Sequence, residues 1–100
     1  MVIVSGTLRL LADDLPKVRV AAATVIAATR AEAGCIVYSF AEDLLEPGLI
    51  RIYEEWESRE ALSAHGRSPH IATWQETLRT VTVLGRDLDV TEAGAREKLG

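Results

Sequence analysis

From Val2 to Leu10, aliphatic residues alternate with Ser5, Thr7 and Arg9, the two-residue period of a strand with one buried face. The period then lengthens. Asp13 and Asp14 offer helix N-caps, Pro16 suits a first turn, and Leu15, Val18, Ala22, Val25, Ile26 and Thr29 recur at helical spacing. Gly34, which can take positive φ at little cost, signals the end of that helix. Alternation resumes over Cys35–Glu42, where Ile36, Tyr38 and Phe40 are predicted to point into one layer. Glu46-Pro47-Gly48 is a turn by composition. Leu49–Trp56 reads as a third strand with Ile50, Ile52, Glu54 and Trp56 on one face. Two short helices are expected over Ser58–His65 and Pro69–Arg79, the second striped by Ile71, Trp74, Leu78 and Val81. Thr80–Val90 is predicted to be the last strand and Thr91–Gly100 a polar tail that frays or forms a short helix.

The order strand, helix, strand, strand, helices, strand predicts an α+β, ferredoxin-like subunit: a four-stranded, mostly antiparallel sheet with helices on one face. No linker or repeat divides it, so residues 1–100 are expected to form one domain with its core in 2–90. Helices on one side leave the other sheet face, expected to carry apolar residues, to be covered by a second copy in a homodimer.

At 100 residues and 48% hydrophobic content the chain can build a core without staples. Its net charge of -4, with Lys and Arg scattered, argues against nucleic acid or an anionic membrane surface as partner. Met1–Leu10 lacks the basic start and long apolar run of a signal peptide, and no run approaches a membrane span, so a soluble cytoplasmic protein is expected. Cys35, the single cysteine, has no partner for a disulfide or a ligand cluster and reads as a small apolar-like residue.

Chemistry concentrates between Tyr53 and Leu78, which hold both histidines and both tryptophans. His65 stands where a helix ends. There it either caps terminal carbonyls or turns its imidazole into a pocket between helices and sheet as a general base. His70, at a helix start behind Pro69, reads as structural, and with no carboxylate cluster beside the pair no metal site is expected. Trp74 shares a stripe with core residues. Trp56 ends a strand, either beneath the helices or in a pocket wall. A buried Tyr38 would need a hydrogen-bond partner, structural or substrate. Glu55 and Glu57 read as solvated or interface groups, whereas Glu54, alternating with Ile52 and Trp56, is a candidate for a buried face. No GxGxxG, P-loop, GxSxG or HExxH pattern occurs, so nucleotide cofactors and triad hydrolysis have no support.

Glu32-Ala33-Gly34-Cys35 with Tyr38, then Glu54-Glu55-Trp56-Glu57-Ser58, then Ala64-His65 and Ser68-Pro69-His70, in that order, resemble the antibiotic biosynthesis monooxygenase family, nearest its quinol-monooxygenase-like members. The resemblance implies a dimeric α+β barrel of two ferredoxin-like subunits packed sheet to sheet. It also implies oxygenation of quinols or polycyclic aromatics without metal or flavin. Relatives that degrade haem carry a first-strand Asn, a Trp and a haem-ligand His. This chain has Ser5, Gly6 and Thr7, then His65, then Gln75 in their places, which disfavours haem.

The leading expectation is therefore a cofactor-independent monooxygenase of a hydroxylated aromatic, using molecular oxygen. His65 would be its catalytic base, and Tyr38, Trp56, His70 and Trp74 would contact the substrate. Two other readings stand beside it. One is a non-catalytic binding or stress-associated module that only sequesters a small apolar molecule. The other is enolisation of a small phosphorylated ketose, for which Arg51 and Arg67 are the nearby cations.

Overall fold

The computed structural model describes residues 1–100. Four strands, β1 (Val2–Leu10), β2 (Cys35–Glu42), β3 (Leu49–Trp56) and β4 (Val83–Glu92), form one antiparallel sheet in the order β2-β3-β1-β4. Helix α1 (Leu15–Arg30) crosses from β1 to β2, and α2 (Arg59–Gly66) and α3 (Pro69–Leu78) lead from β3 to β4. This is a ferredoxin-like α+β fold. No helix is long and apolar enough to cross a membrane.

Register fixes the faces. Val4 pairs with Glu54 and Leu8 with Ile50, so these side chains share the face under the helices. Leu8, Leu10, Leu15, Val18, Val25, Ile50, Ile52, Trp74 and Leu78 make the main core; Val2, Val4, Tyr38 and Trp56 make a second cluster at the other end of the strands. The opposite face holds Ile3, Val37 and Tyr53, but also Ser5, Thr7, Arg9, Ser39, Arg51, Asp87 and Asp89. It is mixed in character, more polar than the sequence pattern predicts.

Four details depart from the sequence reading. Ile36 does not point with Tyr38. The register shifts between Cys35 and Val37, and the bulged Ile36 is 49% exposed. Asp14 stands at the N-cap position of α1 but makes no cap bond. Its carboxylate instead accepts from the Thr82 N–H at 3.0 Å and from Lys17 at 2.9 Å, pinning the approach to β4. These partners hold the Asp14 carboxyl below its usual range. β4 starts at Val83 rather than Thr80 because Thr80 belongs to the turn that follows α3, its hydroxyl donating to the Thr77 carbonyl at 2.7 Å. The strand then runs on to Glu92, because Val2 offers Glu92 a partner. The tail beyond it has no regular structure, yet Arg96 returns to Glu55 at 3.1 Å, and Tyr53 donates to the same carboxylate at 2.6 Å. Glu55 is thus buried on the outer face rather than solvated.

Gly34 does more than mark a helix end. α1 stops at Arg30, and Gly34 makes the following turn at φ 83°; a Cβ there would stand 2.5 Å from that of Ala61. Its carbonyl also accepts from the Glu57 N–H at 2.8 Å. This close approach seats α2 against the end of α1.

Candidate functional site

Glu32 follows directly on the C-terminal cap of α1, where the helix dipole disfavours a carboxylate. Two imidazoles meet it. His65 Nδ1 lies 2.6 Å from Glu32 Oε2 and His70 Nε2 lies 2.9 Å from the same oxygen. An ionised carboxylate only accepts, so the network places a hydrogen on His65 Nδ1 and on His70 Nε2. In the neutral imidazole of His65 the lone pair is then on Nε2.

The two histidines converge because a serine builds the corner between their helices. Ser58 caps α2 by accepting from Ala61 N–H at 3.1 Å, which places His65 in the last turn. The Ser68 hydroxyl donates to the His65 carbonyl at 2.7 Å and accepts from Ile71 N–H at 3.4 Å as the cap of α3. Pro69 then starts α3 with its fixed φ. The His65 ring is held from behind by Trp56, centroids 4.8 Å apart, and flanked by Tyr38 at 5.2 Å.

Glu54 is buried beside them and accepts from Trp56 Nε1 at 2.9 Å. Burial pushes its carboxyl above the usual range, against the Trp56 hydrogen bond and the attraction of His65. Burial, with the Glu54 charge, also raises the Tyr38 phenol. The Thr29 hydroxyl is near enough to Tyr38 to oppose this, yet it meets no hydrogen-bond geometry and remains buried without a partner. Cys35 is raised by burial and by Glu32 and Glu54, the opposite of what a nucleophilic thiolate needs.

A cavity of about 170 Å³ opens between the sheet and α2–α3. Tyr38, Phe40, Ile52, Trp74 and Leu88 give it apolar walls, and His65, Glu54, Gln75 and Arg86 supply polar atoms. Of the residues singled out from sequence, His65, Tyr38 and Trp74 line it. Trp56 does not: it is fully buried behind His65 and Glu54. His70 does not either; it borders a separate cleft between α1 and α3. Arg51 and Arg67 lie elsewhere, bonded to Asp43 and Ser63. The cation in the wall is Arg86, which donates to Gln75 Oε1 at 3.3 Å. A larger groove of about 220 Å³ beside α1 and β2 is apolar but for Arg19 and Glu42, which pair with each other. It therefore offers no free group for chemistry.

Glu32 is the residue that sequence reasoning missed. The carboxylates nearest the histidines in sequence, Glu60 and Glu76, do not bond them, and the fold brings one from 33 and 38 positions away. Arg86 was hidden for a similar reason, since its pairing with Leu8 decides its face.

The model of the antibiotic biosynthesis monooxygenase family matches residues 1–77. The chain belongs to this family. A crystal structure of a candidate family member from Deinococcus radiodurans is 31% identical, superposes with a TM-score of 0.92 and covers 100% of this chain and 99% of its own. One from Caulobacter crescentus, at 20% identity and TM-score 0.87 over 94% of this chain and 90% of that one, shows the same fold. An uncharacterized protein of Synechocystis sp. is 32% identical over 75 residues, 75% of this chain. The match covers 51% of that relative's length, so this chain spans about half of it.

Proposed function

We propose that this member of the family is a cofactor-independent monooxygenase of a small, single-ring quinol or similar hydroxylated aromatic. The observation that carries the reading is His65. It lies in the cavity wall with Nδ1 tied to Glu32, which leaves Nε2 to take a proton from a substrate hydroxyl. Glu32 then faces the imidazolium formed and stabilises it. The cavity, smaller than the ~300–1,000 Å³ of drug-sized sites, suits one ring better than several.

Ground-state oxygen is a triplet and reacts poorly with closed-shell molecules. A quinolate held in an apolar cavity can give it one electron, and the two radicals can then combine. One oxygen atom is added to the ring and the other leaves as water. The four electrons required come from the quinol, which ends as a hydroxyquinone, so no external reductant enters. Tyr38, Phe40 and Trp74 would hold the ring, and Arg86, aimed by Gln75, would donate to an oxygen substituent. The same reading pairs two chains across the outer sheet face, where Ile3, Val37 and Tyr53 supply apolar area; sedimentation gives the mass.

Oxygen uptake with a panel of single-ring quinols tests this. Replacing His65 by Ala is expected to lower the rate by ~10²–10⁴-fold, the usual range for a lost general base. An unchanged rate removes His65 from the mechanism, and no uptake by the wild type with any quinol leaves the cavity as a binding site. One observation favours a second reading, enolisation of a small phosphorylated ketose: Arg86 supplies the cation such a substrate needs. Competition by inorganic phosphate for the bound ligand separates the two.

A further inference from the structure

We propose that Glu32, His65 and His70 together form a binding site for a divalent transition-metal ion of the zinc type. Their three ligand atoms, Glu32 Oε2, His65 Nδ1 and His70 Nε2, all lie within 4.8 Å of one another. Around a tetrahedral ion with bonds of ~2.1 Å, ligand atoms stand about 3.4 Å apart. The two distances to Glu32, 2.6 and 2.9 Å, need to open by less than about 1 Å, and the separation of the two imidazole nitrogens, up to 4.8 Å, needs to close by up to about 1.4 Å, movements that rotations of the three side chains can share.

The surroundings favour a cation. No Lys or Arg pairs with Glu32; its only ionisable partners are the two imidazoles. With both neutral, the trio carries one negative charge, at the end of α1 where the dipole adds to it. Arg30, the nearest basic residue in sequence, spends its Nε on the Tyr38 carbonyl at 2.9 Å. A divalent ion would reverse the excess charge, and two nitrogens with one oxygen select a zinc-like ion over calcium or magnesium. The ion has a way in. The side chains of Glu32 and His70 are 16% and 22% exposed, and His70 borders the cleft of about 240 Å³ between α1 and α3. The ligand positions are also firm, since Ser68 fixes both helix ends that carry the histidines.

One consequence rests on the function proposed above. An ion on Nδ1 keeps the proton of a neutral His65 on Nε2, where it blocks the base. Metal occupancy and quinol oxidation would then exclude one another, and zinc would inhibit.

The test is titration of the apo protein with Zn²⁺ against a chromophoric chelator, with Ca²⁺ as control. The expected result is saturable binding of one Zn²⁺ per chain and none of Ca²⁺. His70→Ala and Glu32→Gln are each expected to weaken zinc at least ~10-fold. Long-range ¹H–¹⁵N spectra should show zinc moving His65 Nδ1 and His70 Nε2, and metal-free melting curves check that each variant is folded. Absence of saturable binding, or equal affinity in both folded variants, overturns the site. If zinc binds as expected while the metal-free protein oxidises no quinol, the site stands and the quinol reading fails.

Discussion

Around Leu8, Val18 and Ile50 the layer between sheet and helices is built mainly of aliphatic side chains, with the Trp74 indole among them, whereas around Trp56 the same layer holds Glu54, His65 and the Tyr38 phenol. Both regions are buried and both rest on β1 and β3, so the sheet does not account for the difference. What differs is the chemistry of the groups that must be satisfied. The aliphatic end needs only complementary shape. The aromatic end must also find partners for buried polar atoms: Trp56 meets Glu54 and both histidines meet Glu32, while the Thr29 hydroxyl is left without one. Both ends bury large side chains, but only the second carries groups whose protons can move.

Large-to-small substitutions should break this contrast most forcefully. Trp56→Ala removes a fully buried indole and the donor that satisfies Glu54, and a loss of ~3–5 kcal/mol in denaturant unfolding is expected. Leu8→Ala should cost a similar ~2–5 kcal/mol. The two should part in acid. Removing the Trp56 bond leaves Glu54 harder to ionise, so the Trp56 variant should recover part of its deficit as pH falls, while the Leu8 deficit stays level. Parallel pH profiles for both variants would show that the two ends do not differ in kind.

Glu54→Gln sharpens the same point with a smaller, stabilising effect. A carboxyl whose folded pKa is raised binds its proton more tightly folded than unfolded, so the wild type loses stability as pH rises from the unfolded to the folded value. The amide has no such loss and still accepts from Trp56. Its melting temperature should exceed that of the wild type at neutral pH, with the gap closing below the ordinary carboxylate range. The smallest effect belongs to the surface: Arg19→Ala breaks an ion pair with Glu42 that is half exposed on both sides, and a change under ~1 kcal/mol is expected.

The fold was largely legible because its signals are local. Alternation marked β1, β2 and β3, and Ser58, Ser68 and Pro69 placed both short helices within a residue or two. Where a distant partner decides, the pattern was silent. The end of β4 follows from Val2 at the far end of the chain, Asp14 prefers the Thr82 N–H to its own helix, and the bulge that frees Ile36 exists only once β2 pairs with β3. The site divides in the same way. His65, Tyr38 and Trp74 could be picked out by residue type and helix ends, but Glu32 and Arg86 depended on tertiary pairing, and Trp56 and His70 lie outside the cavity.

The place of β1 between β3 and β4 has a further consequence, for the time course of synthesis. β1 is made first, yet one of its edges stays without a partner until Val83–Glu92 has been built. A strand as aliphatic as Val2–Leu10, with an open edge until β4 has been made, is a template for pairing with other chains. The hairpin of β2 and β3 can form early, and β3 can protect the other edge, but the final closure joins the two ends of the sequence. A nascent chain halted before β4 would expose this edge to chaperones and to its neighbours on the same messenger.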